Sequence, residues 1–228
     1  MIDSPLIFPL GESALTIDFG NEISVDLNDK AITLAEWFQA NPFPGFIEAV
    51  PAYSSIAIFF DLVTVRKHFP EFDTAFEAVR SLALASIGTA HADRHQSRRH
   101  VEIPVDFGSD AALDMDVLIQ HSGLTESEVI EIFTSATYRV FMLGFLPGFA
   151  YMGEVDERIA IPRRPSPRLK VPKGSVAIAG RQTGVYPLES PGGWQIVGRT
   201  ELDLFTPHAN DLCLLRAGDL VTFRPASP

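Results

Sequence analysis

GRQTGVYPLESPGGWQIVGRT, residues Gly180–Thr200, says more about this chain than any other stretch. It holds five glycines and two prolines, and glycine permits both positive φ and close approach of the backbone to another group. Two interpretations remain open here: tight turns of a β domain, or a backbone shaped around a ligand. Side chains able to recognise a ligand stand between the glycines and prolines: Arg181, Gln182, Thr183, Tyr186, Trp194 and Arg199.

Charge is unevenly distributed along the sequence. The 228 residues carry a formal net charge of −11, which argues against nucleic-acid binding and suits a basic partner subunit. The range Arg158–Leu188 nevertheless contains no acidic residue. A cationic segment in an acidic protein suits a small anionic ligand such as a carboxylate or phosphate, with a solvated loop as the alternative. Its cations are Arg158, Arg163, Arg164, Arg168, Lys170, Lys173 and Arg181.

Composition also bears on the compartment. No apolar run is long enough to span a bilayer, and the first residues lack the basic region and apolar run of a signal peptide. Cys213 is the single cysteine, so no internal disulfide forms. We therefore expect a cytoplasmic protein with no membrane partner.

The first hundred residues alternate between strand-like and helical patterns. The predicted order is βαββαβ, the split βαβ arrangement of ferredoxin-like units. His91, His95 and His100 have spacings that a metal site can use, but the arginine-rich polar sequence around them favours a linker, and no metal site is expected. The predicted elements are strands at Ala14–Phe19, Phe46–Pro51, Ser54–Phe60 and His100–Val105, and helices running from Ile23 to Phe38 and from Phe72 to Ser86.

The second half changes character. Two helices are predicted at Leu113–His121 and Glu126–Ala136, and Thr125 with Glu128 forms a capping box at the start of the second. From Tyr138 onward, short strands alternate with glycine and proline, which predicts a barrel-like β domain. The predicted strands are Tyr138–Phe145, Ser175–Ala179, Trp194–Arg199, Leu212–Leu215 and Asp219–Phe223.

An aromatic run, FMLGFLPGFAYMG at Phe141–Gly153, is the second notable motif. Phe145, Phe149 and Tyr151 alternate around a Pro-Gly turn. Core packing is the favoured interpretation of these rings, and a pocket wall that stacks on a planar ligand is the alternative.

Two common catalytic motifs are missing from the sequence. Pro191 follows Ser190 and lacks the backbone N–H that an oxyanion hole would need, so a serine hydrolase is disfavoured. The segment around Lys173 lacks the glycine spacing of a P-loop.

These runs together resemble one protein family. YRVFMLGFLPGFAYMG and IPRRPSPRLKVPKGSVAIAGRQTGVYPLESPGGWQIVGRTELDLF look like the signature of the allophanate hydrolase subunit 1 family, to which the Kip inhibitor belongs. The similarity extends from LGESALTIDFG at Leu10–Gly20 to LLRAGDLVTF. The resemblance implies an α+β fold, with a ferredoxin-like α/β-sandwich domain over residues 1–98 and a cyclophilin-like β-barrel domain over 99–228.

The resemblance also implies an activity shared among several chains. In the 5-oxoprolinase members, a B subunit of this kind acts with a subunit 2-type protein, the C subunit, to phosphorylate 5-oxoproline using ATP with Mg²⁺, and an A subunit opens the activated ring to glutamate. The chain is then inactive alone, holds no covalent cofactor, and self-associates where its partner is missing. Two alternatives stay open: a regulatory inhibitor of a sensor histidine kinase, and a carboxyltransferase-like subunit of a urea or allophanate pathway.

The expected site gathers the cationic segment, the glycine-rich stretch and the aromatic run. One position departs from the family pattern, because Phe133 stands where many relatives have histidine. The expected catalytic residues are Arg199, Gln182 and Lys173. The expected substrate-binding residues are Arg163, Arg164, Arg168, Thr183, Tyr186, Gly192, Gly193, Trp194, Phe145 and Phe149.

Overall fold

A computed structural model describes residues 5–87 and 98–226. The chain divides into two compact units, Met1–Ser97 (unit 1) and Arg98–Pro228 (unit 2). His91 and His95 lie outside the described residues. Within the described ranges, no group of histidine, cysteine, aspartate and glutamate is placed to hold a metal ion, and no helix is long and apolar enough to cross a membrane.

Over residues 5–87, unit 1 is a four-stranded antiparallel sheet with three helices. The strand order is β1-β2-β4-β3, and each neighbouring pair is antiparallel. Alternate residues of β2 and β4, including Leu15, Ile17, Ile56 and Ile58, pack against the buried stripe of the first helix. The elements are β1 (Leu6–Pro9), β2 (Ala14–Asp18), α1 (Val25–Ala40), β3 (Phe46–Pro51), β4 (Ser55–Phe60), α2 (Leu62–His68) and α3 (Ala75–Ile87).

The predicted βαββαβ order is wrong at two strands and one helix. Strand β1 is absent from the prediction, because it is short and ends in a proline. Helix α2 is absent as well, although Asp61 caps it by accepting a hydrogen bond from the Thr64 backbone N–H at 2.8 Å. The last predicted strand, His100–Val105, belongs to the sheet of unit 2.

Unit 2 is built on a seven-stranded sheet of order β12-β9-β10-β7-β6-β13-β5. Its elements are β5 (His100–Val105), α4 (Met115–Ser122), α5 (Glu126–Ser135), β6 (Thr137–Leu143), β7 (Ala150–Gly153), β8 (Arg168–Val171), β9 (Ser175–Ala179), β10 (Gln182–Val185), β11 (Ser190–Gly192), β12 (Gln195–Arg199) and β13 (Leu220–Pro225). Strands β8 and β11 form a separate antiparallel pair.

The seven-stranded sheet nearly closes into a barrel. Asp106 directly follows β5, and Arg199 ends β12 at the opposite edge of the sheet. The Asp106 backbone N–H donates to the Arg199 carbonyl at 2.7 Å, and the Arg199 N–H donates back at 2.8 Å. The two edges therefore meet, as the prediction of a barrel-like sheet requires.

Both predicted helices of unit 2 are present, within two residues of their expected ends. The capping box is confirmed: the Thr125 N–H donates to the Glu128 carboxylate at 2.8 Å, and the Glu128 N–H donates to the Thr125 hydroxyl at 3.3 Å. The predicted strand Leu212–Leu215 is wrong, because only an isolated bridge between Phe205 and Cys213 forms there.

Phe133, the residue that departs from the family pattern, lies in the core of unit 2. Its side chain is 1% exposed and stacks on Phe223 with ring centroids 4.9 Å apart. Tyr138 packs beside it at 5.3 Å and donates its hydroxyl to the Phe133 carbonyl at 2.8 Å. Phe133 therefore joins α5 to the barrel and has no access to a ligand in solution.

Candidate functional site

A second apolar cluster of unit 2 lies on the face of β9 opposite the main core. Val176 and Ile178 pack into the main core, whereas Ala177 and Ala179 point to the other side. Val171 of the β8–β11 pair joins them there. This alternation along one strand places a layer of side chains over the sheet, between β9 and the β8–β11 pair.

Five aromatic rings, here called the aromatic cluster, make up most of this layer: Phe145, Phe149, Tyr151, Tyr186 and Trp194. Phe149 is buried at the centre, with its ring centroid 4.9 to 5.6 Å from those of the other four. All four contacts have edge-on geometry, which favours aromatic pairs electrostatically. Three of the rings come from β7 and the turn before it, Tyr186 directly follows β10, and Trp194 directly precedes β12.

Phe145 marks the solvent side of the aromatic cluster. Its side chain is 61% exposed, and its backbone has φ of 68°, a left-handed conformation that non-glycine residues rarely adopt. Core packing, the favoured interpretation of the aromatic run, therefore fits Phe149 and fails for Phe145. A strained residue that exposes an aromatic ring is an arrangement typical of binding sites.

Tyr186 brings the aromatic cluster and the cationic segment together. Burial raises the pKa of its phenol above 10, while the Trp194 backbone N–H and the charges of Arg163 and Arg168 act in the opposite direction. The hydroxyl thus lies within electrostatic reach of both guanidinium groups. At neutral pH it is protonated and able to donate a hydrogen bond to an anion.

Arg163 lies over the face of Trp194. Its guanidinium carbon is 5.9 Å from the indole centroid, within the range of a cation–π contact. The indole is 5% exposed and the arginine is exposed, so the cation faces solvent from a fixed apolar floor. Among the described residues, no carboxylate forms an ion pair with Arg163.

The other cations of the acid-free segment form ion pairs with carboxylates from outside it. Arg164 and Arg168 share one partner, Asp114, at 2.7 Å each. Among the described residues, Arg163 is thus the one cation of this segment that forms no ion pair. The segment as a whole is therefore not the unpaired cationic surface that its composition predicts. The remaining pairs are Arg158 with Asp156, Lys170 with Glu189, Lys173 with Asp203, and Arg181 with Glu154 and Glu157.

Asp114 is the residue that sequence reasoning missed. Its side chain is 1% exposed and accepts four hydrogen bonds of 2.7 to 2.8 Å, from Arg164, from two nitrogens of Arg168 and from the Ile196 N–H. The one available signal is misleading, because an aspartate before a helix is typical of an N-cap. Asp114 does occupy the N-cap of α4, but its side chain makes no capping hydrogen bond.

The three expected catalytic residues do not form one group, because Gln182 lies apart from Arg199 and Lys173. Opposite residues of an antiparallel pair share a face, and Gln182 pairs with Ala179 while Arg199 pairs with Ser175. Ala179 and Ser175 are four residues apart on β9, so Gln182 and Arg199 share the face of the aromatic cluster but are offset by about 13 Å along the strand direction, on opposite sides of β9. Lys173 lies near Arg199, where it pairs with Asp203 at 2.5 Å.

Other expected site residues are occupied within the fold. The Arg199 side chain pairs with Glu201 at 3.0 Å. Thr183 is fully buried and donates its hydroxyl to the Ala177 carbonyl at 3.0 Å. The carbonyl of Gly193 accepts the Arg164 backbone N–H at 2.7 Å. The structure therefore groups Arg163, Arg164, Arg168, Tyr186, Gly192, Gly193, Trp194, Phe145 and Phe149, and it places Arg199 and Lys173 at the other end of the strands.

The glycines of the opening stretch accommodate the chain's own atoms. A Cβ on Gly184 would lie 2.9 Å from the Phe149 ring, one on Gly192 would lie 2.8 Å from the Tyr186 ring, and one on Gly198 would lie 2.8 Å from the Asp106 carbonyl. Gly180 has φ of 59° in the turn between β9 and β10. Turn formation and close packing thus account for these four glycines.

The match to a known family covers most of both units. Residues 5–215 match the family described as "Carboxyltransferase domain, subdomain C and D", and the chain belongs to that family. It is 45% identical over 215 residues to the B subunit of 5-oxoprolinase from Bacillus subtilis (strain 168), a match that covers 94% of this chain and 90% of the relative.

Two further proteins are similar over most of the chain. The B subunit of 5-oxoprolinase from Escherichia coli O157:H7 is 38% identical over 222 residues, which cover 95% of this chain and 94% of the relative. The crystal structure of TTHA0988 is 35% identical, with a TM-score of 0.81, and the match covers 94% of this chain. The chain spans only 40% of that protein.

Proposed function

We propose that this chain is the B subunit of a 5-oxoprolinase and binds the carboxylate of 5-oxoproline. Relatives of that name are 45% and 38% identical over nearly their whole length, which supports the proposal. One observation at the site carries the assignment of the ligand: the guanidinium of Arg163 lies over Trp194 without an ion pair among the described residues. It is the available cation in a wall otherwise made of aromatic rings.

The chemistry of the substrate fits this wall. 5-Oxoproline is a small anion with an apolar ring, so Arg163 would take the carboxylate and the exposed ring of Phe145 would pack on the methylenes. The protonated Tyr186 hydroxyl would donate to a carboxylate or carbonyl oxygen. These residues bind and orient. Gly192 and Gly193 shape the wall, and Arg164, Arg168, Phe149 and Thr183 support it from beneath.

The activation step belongs to the assembled complex in this proposal. A lactam is a poor electrophile, and ATP with Mg²⁺ would supply the phosphoryl group that makes its carbonyl carbon attackable. The phosphates need several available cations, whereas six of the seven in the acid-free segment are paired with carboxylates within the described residues. The segment as folded fits one carboxylate and does not fit a triphosphate.

The partners follow from the same proposal. We propose a subunit 2-type protein as the C subunit and a separate A subunit that opens the ring, together in the cytoplasm. More than half of TTHA0988 lies outside the match, so this fold occurs joined to further sequence in that protein. Arg199 and Lys173 are proposed to act in catalysis where a partner completes the far end of β12, and Gln182 is proposed to act in catalysis from the opposite end of the strands. The barrel of unit 2 is proposed to be cyclophilin-like, and residues 1–98 and 99–228 to be the two domains.

The test is a coupled assay of the complete complex. The chain is co-expressed with the proposed C and A subunits, and ATP hydrolysis is measured with and without 5-oxoproline. We expect hydrolysis that depends on 5-oxoproline. In Arg163→Ala, the KM for 5-oxoproline should rise about 10- to 100-fold, because a charge-assisted hydrogen bond contributes about 1.5 to 3 kcal/mol.

Arg158→Ala is the matched control. It removes an exposed arginine of the same segment that pairs with Asp156, and its KM should equal that of the unaltered chain. A complete complex that does not hydrolyse ATP in response to 5-oxoproline would refute the proposed function. An unchanged KM in Arg163→Ala would refute the assignment of the carboxylate site.

A further inference from the structure

We propose that Asp114 is a positioning residue that holds Arg163 in place over Trp194. The carboxylate is shielded from solvent, since its side chain is 1% exposed. It accepts hydrogen bonds from the segment that carries Arg163 and from the strand that follows Trp194. The proposal rests on the proposed function for its kinetic test, whereas a spectroscopic test is independent of that function.

The Asp114 side chain does not cap helix α4 and instead bonds to residues outside the helix. At the N-cap of α4, an aspartate side chain normally accepts a hydrogen bond from the first turn of the helix. Here no capping bond forms, and both carboxylate oxygens instead accept from the two arginines and from the Ile196 N–H. Its backbone is fixed as well, because the Asp114 N–H donates to the Ile196 carbonyl at 2.9 Å.

The bonds of Asp114 reach the immediate neighbours of the cation–π pair. Arg164 follows Arg163 in the chain, and Ile196 lies two residues after Trp194. The Arg164 N–H also donates to Gly193, the residue before Trp194, at 2.7 Å. A single carboxylate therefore holds the segment that carries the cation against the strand that carries the indole.

A change in the charge of Asp114 distinguishes a positioning role from an effect of its charge on the anion at long range. Two guanidinium groups and one carboxylate leave a net charge of +1 beneath the site. Asp114→Asn removes the negative charge and raises this net charge to +2, so a role limited to long-range attraction predicts that the variant binds an anion more tightly. A positioning role predicts the opposite sign, because Arg163 loses its orientation.

The kinetic test is a double-mutant cycle in the complete complex. We expect Asp114→Asn to raise the KM for 5-oxoproline about tenfold, with kcat within about twofold. In the Arg163→Ala background, the same change should have no further effect on KM, because both substitutions remove one interaction. A lower KM in Asp114→Asn, or equal effects in the two backgrounds, would overturn the proposal.

Asp219→Asn is the matched control. Asp219 is also a buried aspartate of unit 2, 5% exposed, and it pairs with Arg99 at 2.7 Å. Its loss should lower stability without changing KM. Asp114→Glu keeps the charge but moves the carboxylate by one methylene, so it should also raise the KM for 5-oxoproline. This variant replaces Asp114→Asn in the test if Asp114→Asn does not fold. An unchanged KM in folded Asp114→Glu would count against positioning.

The spectroscopic test uses the chain alone. Only Trp37 and Trp194 are present, so Trp37→Phe isolates the Trp194 fluorescence. In that background Arg163→Ala should change the emission, and Asp114→Asn should change it in the same direction. Asp219→Asn should leave it unaltered. If a folded Asp114→Asn variant keeps the parent emission, the proposal fails, even where the complex shows no 5-oxoprolinase activity.

Discussion

Gly192 shows how strongly one missing Cβ shapes the site. A methyl group there would overlap the Tyr186 hydroxyl and lie 2.8 Å from the phenol carbon that carries it. Tyr186 is buried and packs edge-on against the rings of Phe145 and Phe149, so it has no room to withdraw. The glycine therefore sets the position of the hydroxyl that faces Arg163 and Arg168.

We expect Gly192→Ala to lower the free energy of unfolding by about 1 to 3 kcal/mol, because it overpacks a filled layer. Urea unfolding followed by circular dichroism measures this. Gly193→Ala is the control, since its Cβ would lie an ordinary 3.6 Å from Pro167, and its stability should stay within about 1 kcal/mol of the parent. Equal losses in both variants would contradict the packing argument.

The sequence predicts a site residue when the residues next to it in the chain form an unusual pattern, and it misses a residue whose role depends on a remote partner. The glycine-rich stretch, the aromatic run and Arg163 can be named from the sequence, because they are dense in unusual residues. The ion pairs cannot be named, because Asp114 lies 50 residues before Arg164 and resembles a helix cap. Pairing across such distances decides which cations remain available to a ligand.

At the scale of elements, α5 owes part of its stability to a local signal. Thr125 and Glu128 exchange backbone and side-chain hydrogen bonds at its first turn. We expect Thr125→Ala to lower the free energy of unfolding by about 1 kcal/mol, since it removes the cap. Thr134→Ala, in the last turn, removes hydroxyl bonds to the Ile130 and Glu131 carbonyls, which cap no N-terminal N–H, and should cost less. Thermal unfolding of the two variants compares them, and the reverse order would contradict the capping argument.

The sequence predicts elements well where the pattern is local and poorly where pairing is remote. Helices α1, α3, α4 and α5 follow from apolar spacing and caps, and β2, β3, β4 and β9 from alternation between turns. The range His100–Val105 is correctly predicted as a strand but assigned to the wrong sheet, because its parallel partner β13 lies more than 100 residues later. Periodicity carries no information about such a partner.

At the scale of the whole molecule, acid should weaken the fold through its carboxylates. The Arg158 side chain and backbone hold the pKa of Asp156 at about 2, below its usual 3.8. Hydrogen bonds to Thr125 lower the pKa of Glu128, and hydrogen bonds to Thr64 lower the pKa of Asp61. A pKa that is lower in the folded state stabilises the fold above the unfolded value and stops doing so as the pH falls through the folded one.

We therefore expect the contribution of Asp156 to be complete above about pH 5 and to disappear between pH 3.8 and about 2. The difference in unfolding free energy between the unaltered chain and Asp156→Asn should shrink over that range. Arg158→Ala should flatten the same limb, because it removes the partner. Stability curves that stay parallel from pH 6 to pH 2 would show that the ion pair does not contribute.

The overall class of fold is predictable from the sequence, but the contact that closes the barrel of unit 2 is not. Short strands between glycines and prolines indicate a barrel-like sheet, and helical periods indicate two helices beside it. The two bonds between Asp106 and Arg199 that join its edges are backbone bonds, which leave no trace in residue type. The glycine that allows this contact, Gly198, is visible in the sequence, but the reason for it is not.

The place of β13 has a consequence for how the chain is made. In chain order it is the last strand of the described sheet, yet it lies between β6 and β5. During translation, β5 has no neighbour on that side until Pro225 leaves the ribosome. The sheet therefore closes only after residue 225 has emerged, and until then β5 and β6 expose unpaired edges.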